Sequence, residues 1–356
     1  MIELFGWSDE LQKVFAPHAA EHHAPARVIA QHRGLWRLAT QDGEVSGRLS
    51  GRFQLNAGSG EHPAVGDWVA IASASDGNDA VIHAVLPRSG VFIRRAAGEE
   101  TAQVVAANVD VAFLVAALTA DLNLRRLERY LVAARDGGAS PVIVLTKADI
   151  AAEAGDGVAR VEEIAGGAPV VPISSVTGEG LDALRAHMRP GATVVLLGSS
   201  GAGKSTLLNA LAGDELMSTG EVRGDDLRGR HTTRHRELFR LPGGALMIDT
   251  PGIRELGLIA DEETVDATFS DIAALPACRF GDCSHGSEPG CAIRAALESG
   301  ALSEARWRAY LKLQNEVAFN EARNNPEAGA ARKLRWKQIH KDQRAKQKHR
   351  SRNEDR

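Results

Sequence analysis

The spacing of apolar positions changes twice along the chain. Between about residues 25 and 95 they come in short runs: Arg27 to Gln31, Leu35 to Thr40, Glu44 to Leu49, Asp67 to Ala72 and Ala80 to Leu86. Gly34, Asp42-Gly43, Gly58 and Gly77 fall between them. Short β-prone runs punctuated by turn formers predict strands. Five of them in so short a stretch predict a small barrel; an OB-fold is one such barrel and often binds oligonucleotides, but the same pattern suits barrels that only pack against a neighbour. From about residue 105 the texture becomes that of a parallel sheet covered on both faces by helices. Val109 to Ala117, Pro141 to Leu145, Val170 to Ile173, Thr193 to Leu197 and Ala245 to Ile248 read as buried strands. Leu124, Leu127, Leu131 and Ala134 recur at helical spacing, and a further helix is expected from about Gly203 to Leu211. After Leu258 the pattern is helical. Ser303 is expected to cap a helix through about Arg323, and Pro326 to Ala331 reads as a hinge.

Composition narrows the class. The 356 residues are 25% charged and 44% hydrophobic, enough for two or three cores. No run of eighteen apolar residues and no basic-then-apolar leader is present, so a cytoplasmic chain without a membrane span is expected. The net charge of -4 conceals an asymmetry: residues 331–356 carry eleven Lys/Arg against three Asp/Glu, a basic arm on an acidic body. Such an arm suits a polyanion such as RNA, or it is a solvated tail. All three cysteines lie within residues 278–291, too clustered and too few for a disulfide framework. With His285 they form Cys278-x4-Cys283-x-His285-x5-Cys291, four ligands able to close a tetrahedron around one structural Zn²⁺. His18, His22, His23 and His62 lie in polar surroundings and are read as exposed, without a role.

Gly198-Ser199-Ser200-Gly201-Ala202-Gly203-Lys204-Ser205, followed by Thr206, matches the phosphate-cradling loop between a strand and a helix. Its backbone N–H groups would surround phosphate oxygens, Lys204 would neutralise β/γ charge, and the Ser205 hydroxyl would ligate Mg²⁺. Asp249-Thr250-Pro251-Gly252 follows a later strand, where Asp249 suits the metal side and the Gly252 N–H suits the γ-phosphate. Between the two, Thr232 and Thr233 lie on a Gly-rich charged segment fit for a mobile switch that reaches Mg²⁺. Thr146-Lys147-Ala148-Asp149 and Ser174-Ser175 end two other strands, which places them on the same rim of an open α/β sheet. There Asp149 would accept from guanine N1 and N2, and Lys147 would pack its stem over the base.

These segments resemble the five nucleotide-binding motifs of translation-factor-type GTPases in permuted order, with the base-reading pair ahead of the phosphate loop. That order, an N-terminal barrel and a C-terminal Cys/His cluster together resemble the RsgA (YjeQ) family of small-ribosomal-subunit-dependent GTPases over about residues 25–330. The likeness includes Val65-Gly66-Asp67-Trp68-Val69, Leu124 to Leu131 and Gly229-Arg230-His231-Thr232-Thr233. Thr146 departs from it, standing where the family usually has Asn. The resemblance implies a multidomain protein: a barrel with an N-terminal extension (1–100), a circularly permuted GTPase domain (101–262), a helical zinc-binding domain (263–330) and a basic tail (331–356). It implies GTP hydrolysis in late maturation of the small ribosomal subunit, with GTP/GDP, Mg²⁺ and rRNA as ligands, no membrane, and a monomer. Ile253 occupies the position where Ras-type enzymes have a water-orienting glutamine, and the family is considered to use a switch histidine instead, which maps onto His231 as catalytic residue beside Lys204. Two rivals share the phosphate loop: a metabolic kinase or ATPase, for which Asp149 and Ser175 have no use, and a nucleic-acid scaffold with a vestigial site.

Overall fold

The structure is a computed structural model describing residues 1–32, 34–58, 60–73, 79–94, 103–119, 122–151, 154–213, 237–249, 262–281, 283–286 and 288–324. A short 3₁₀ turn, Ile2–Phe5, leads into helix α1 (Asp9–Ala20), whose N-cap Ser8 accepts a hydrogen bond from the Leu11 N–H at 3.3 Å. The five expected strands follow as β1 (Ala24–His32), β2 (Leu35–Ala39), β3 (Glu44–Leu49), β4 (Trp68–Ser73) and β5 (Asp79–Val85), with helix α2 (Gly51–Asn56) after β3. β1, β2 and β3 form an antiparallel meander, β5 runs parallel to β3, and β4 pairs with both β5 and β1, which closes the barrel. Alternate residues point inward: Ala26 and Val28, Trp36 and Leu38, Val69 and Ile71, Ala80 and Ile82 make one buried cluster.

A separate antiparallel pair, β6 (Val91–Arg94) and β7 (Gln103–Ala107), leads to the α/β region. Its strands are β8 (Val111–Ala117), β9 (Ser140–Thr146), β10 (Val170–Pro172), β11 (Thr193–Gly198), β12 (Glu237–Arg240) and β13 (Leu246–Asp249). In the order β10-β9-β8-β11-β13 all neighbours are parallel, as the apolar runs require. Helices α3 (Leu124–Asp136), α4 (Ala154–Glu162), α5 (Leu181–Arg185) and α6 (Lys204–Ala212) connect them. Leu181 and Leu184 of α5 and Leu207, Leu208 and Leu211 of α6 cover the face that presents Phe113, Val115, Val144 and Met247.

An all-parallel sheet is corrected at one edge. β12 runs antiparallel to β13, and its Glu237 pairs with Ala30 of β1, so barrel and α/β sheet are one eleven-stranded sheet. Arg37 of β2 forms an ion pair with Glu237 at this seam. The chain divides into two compact units, residues 1–257 with 267–271, and residues 258–266 with 272–356. Helices α7 (Glu262–Thr268), α8 (Ser270–Ala273), α9 (Ala292–Ser299) and α10 (Glu304–Asn324) complete the described chain. α10 begins as expected, with the Ser303 hydroxyl accepting from the Arg306 N–H at 3.2 Å.

The first unit is knit together by Arg27 of β1, which is 3% exposed. Its guanidinium donates to the carbonyls of Phe5 (2.5 Å) and Gly66 (3.1 Å) and to the Thr193 hydroxyl (2.8 Å), and its face lies 5.0 Å from the Trp68 ring. Gly66 has φ +94, and a Cβ there would meet the Ala107 carbonyl oxygen at 2.2 Å, so only glycine lets the turn approach β7. The next residue, Asp67, is fully buried and accepts two hydrogen bonds from Arg88, at 2.8 and 2.7 Å. Burial lowers the Arg27 pKa to about 10, opposed by Asp110 and Asp67, so the group stays charged at neutral pH. Arg27→Met would orphan several buried acceptors, and a stability loss of about 3 kcal/mol is expected, read as a lower urea midpoint. Lysine, with one ammonium in place of a planar fork, should recover only part of it.

Candidate functional site

The carboxyl ends of the parallel strands form one rim. Gly198 of β11 lies beside Val115 of β8, Ala117 of β8 beside Thr146 of β9, and Leu145 of β9 beside Pro172 of β10. The sheet therefore brings the phosphate-loop segment together with Thr146–Asp149 and Ser174–Ser175, although these precede it in the chain. Gly198 is obligatory, because a Cβ there would lie 2.4 Å from the Val115 carbonyl oxygen. Residues 199–203 then turn into α6, pinned by its buried leucines. The Lys204 ammonium folds back over the loop and donates to the carbonyls of Gly198 (2.8 Å) and Ser199 (2.6 Å). Ala202 is buried, while Ser200, Gly201 and Thr206 are exposed and Ser205 is half-buried.

Thr146 is 2% exposed, and its hydroxyl donates to the Ala202 carbonyl at 2.7 Å. The Thr146–Asp149 segment is thereby tied directly to the Gly198–Ser205 loop. Where the family usually has Asn, this chain has a shorter side chain whose hydroxyl reaches the loop. After it the chain turns sharply: Lys147 adopts φ +63, Ala148 N–H donates to the Ile173 carbonyl at 3.1 Å, and Asp149 lies exposed in the 3₁₀ turn Ala148–Ile150. Ser174 is buried, and its hydroxyl accepts from the N–H groups of Val176 (3.3 Å) and Thr177 (3.1 Å), fixing the loop beyond β10. The Ser175 hydroxyl oxygen is buried and finds no partner among the described residues. An orphaned buried hydroxyl on this rim is a group that a bound polar ligand would satisfy. Asp249 ends β13 on the same rim, while His231, Thr232, Thr233, Gly252 and Ile253 lie outside the described residues.

In the second unit Cys278, Cys283, His285 and Cys291 converge, with their ligand atoms all within 4.8 Å of one another. Cys278 Sγ and Cys291 Sγ are 4.0 Å apart, and each lies 3.6 or 3.5 Å from His285 Nδ1. A tetrahedral ion with metal–sulfur bonds of ~2.3 Å and a metal–nitrogen bond of ~2.0 Å demands ligand separations of ~3.5–3.8 Å, so the cluster can hold a metal ion. Cys291 is the N-cap of α9, and the Ala292 N–H at that helix start holds the Cys278 thiol below the usual range, while desolvation and the neighbouring thiols push Cys283 up to about 11. The Trp307 ring of α10 stands edge-on to His285, 5.4 Å between centroids.

Thr146→Val keeps the shape of the site but leaves the Ala202 carbonyl without its donor. Affinity for guanine nucleotide is expected to fall about tenfold, the weight of one buried hydrogen bond, while Thr146→Ser stays near the parent. Titration with a fluorescent GDP analogue measures both.

The family model for the RsgA GTPase matches residues 85–259. The small ribosomal subunit biogenesis GTPase RsgA of Opitutus terrae is 49% identical over 96% of this chain and 97% of its own, and that of Syntrophotalea carbinolica 43% over 95% of each. Among solved structures, YjeQ from Thermotoga maritima superposes with a TM-score of 0.62 at 27% identity, covering 83% of this chain and 98% of its own. YloQ, described as a circularly permuted GTPase, gives 0.59 at 26%, covering 83% and 95%. With that identity sustained over nearly the whole chain, and a closed barrel ahead of the α/β sheet, the chain belongs to the RsgA GTPase family.

Proposed function

We propose that this GTPase binds GTP on the sheet rim, hydrolyses it in response to the small ribosomal subunit, and acts in late maturation of that subunit through rRNA contacts. The reading is carried by one observation, the Thr146–Ala202 hydrogen bond, which joins a guanine-reading segment and a phosphate loop into one site. It is supported by the relatives named as small ribosomal subunit biogenesis GTPases. Asp149 reads the guanine edge, Lys147 flanks the base, and Ala148, Ser174 and Ser175 shape its pocket. The N–H groups of residues 198–206 cradle the phosphates, and Lys204, already poised over the loop, neutralises the charge that grows between β- and γ-phosphate. Mg²⁺, held by Ser205, Asp249 and a threonine of the Thr232-Thr233 pair, would supply further neutralisation, and the Gly252 N–H would sense the γ-phosphate. Ile253 cannot orient water, so His231 is assigned that task.

The ion in the cysteine cluster is assigned as one structural Zn²⁺, since three thiolates and an imidazole leave no open position. No helix among the described residues is long and apolar enough to cross a membrane, which suits a cytoplasmic protein. We assign the barrel with its N-terminal extension to residues 1–100, the GTPase domain to 101–262, the zinc domain to 263–330 and an RNA-binding tail to 331–356, in a monomer.

Turnover of GTP is expected to be slow alone and strongly accelerated by purified small subunits, less so as salt rises. His231→Ala should lower stimulated turnover while sparing GTP binding. Equal stimulated turnover in variant and parent would remove His231 from catalysis, and no stimulation of the parent would remove the ribosomal reading. Elemental analysis of protein purified without chelator should give at least one equivalent of zinc, and Cys283→Ser close to one equivalent less than the parent.

A further inference from the structure

A second group of metal-ligating side chains lies where α1 ends, far in sequence from both the rim and the cysteines. Polar surroundings in the sequence predict exposed histidines here, but only His22 and Glu21 are exposed, and His18 and His23 are half-buried. The helix closes in a Schellman turn with Glu21 as C-cap. The His22 N–H donates to the Ala19 carbonyl at 3.0 Å and the His23 N–H to the His18 carbonyl at 3.1 Å. This closure folds the residue after the turn back over the last helical turn, and an apolar pair usually fills that contact. Here the two positions are His18 and His23, with Glu21 between them. His22 takes the left-handed position, φ +63, where glycine is the ordinary choice.

The donor atoms of His18, Glu21 and His23 all lie within 4.8 Å of one another. The His23 side chain is only 11% exposed, and its Nδ1 is buried with no hydrogen-bond partner, 3.6 Å from a Glu21 carboxylate oxygen. That distance is too long for a hydrogen bond and right for two ligands of one ion. His83 of β5 stacks on the His23 ring at 4.5 Å and fixes its plane, while His18 is braced by the buried Phe15, 5.8 Å between centroids.

We propose that His18, Glu21 and His23 form a second metal site, for a divalent first-row transition ion completed by water. Two imidazoles and one carboxylate suit Zn²⁺, Co²⁺, Ni²⁺ or Cu²⁺ and disfavour Mg²⁺ and Ca²⁺, which take all-oxygen sets. The ion supplies the partner that His23 Nδ1 lacks and fastens the end of α1 to the start of β1. Without sulfur ligands the site is chemically distinct from the cysteine cluster.

Co²⁺ separates the two sites, because thiolate ligation adds an intense near-ultraviolet charge-transfer band that nitrogen and oxygen ligands do not. The untagged full-length protein, zinc-loaded and freed of loose metal, is dialysed against Co²⁺ and its spectrum recorded. One additional equivalent without the thiolate band is expected, with a raised thermal midpoint. Exposed Glu21→Gln should weaken that binding by at least about tenfold, and His18→Ala with Glu21→Gln should abolish saturable uptake. No additional equivalent, a thiolate band, or unchanged affinity in Glu21→Gln would each overturn the proposal.

Discussion

A guanidinium buried among main-chain carbonyls holds the first unit in register. Arg27 belongs to the barrel, but its hydrogen bonds end on the N-terminal turn through Phe5, on the Gly66 turn, and on Thr193 at the start of the strand that leads into the phosphate loop. A desolvated charge is tolerable only when its donors are satisfied in a fixed geometry. The barrel, the leader and β11 therefore have one relative placement that keeps Arg27 satisfied. The Asp67–Arg88 pair works in the same way from the neighbouring turn, since Ala64 N–H also donates to Asp67 at 2.8 Å.

Placement on a rigid sheet explains why a permuted chain can keep a nucleotide site. The rim is defined by strand neighbours, and β8 holds β9 on one side and β11 on the other whatever their order in sequence. What the site requires across that gap is a physical tie between its two halves. Thr146 provides one, reaching from the end of β9 to a carbonyl of the phosphate loop some fifty residues later.

The barrel strands and the parallel strands were legible because one buried face leaves an alternating pattern and two buried faces leave an apolar run. β12 was not, since Glu237–Arg240 alternates weakly and owes its existence to β13 and β1 on either side. The β6–β7 pair was likewise hidden, its strands being only four and five residues long and separated by residues 95–102. Glycines and a lysine at fixed spacing marked the loop between β11 and α6, and four donors in fourteen residues marked a cluster able to hold a metal ion. The contact made by Thr146 was hidden because a one-dimensional pattern shows the residue type and not the carbonyl waiting 2.7 Å away. Arg27 gave no signal, as its partners are spread from Phe5 to Thr193, and the helix-end histidines gave none because the Schellman closure that pairs them depends on a left-handed residue other than glycine.

The single-residue bridge between Ala30 and Glu237 has a consequence for solubility. At one end of the eleven-stranded sheet, β4 turns back onto β1 and leaves no border. At the other, β10 is a border of three residues that finishes in Pro172. A strand that short, ending in a residue without an N–H, is a poor template for a stray chain. The flank of β12 would be a better one, but the barrel occupies it. In this molecule the barrel doubles as a guard for the GTPase sheet, and a GTPase domain cut free of it would expose a pairing surface the intact protein conceals.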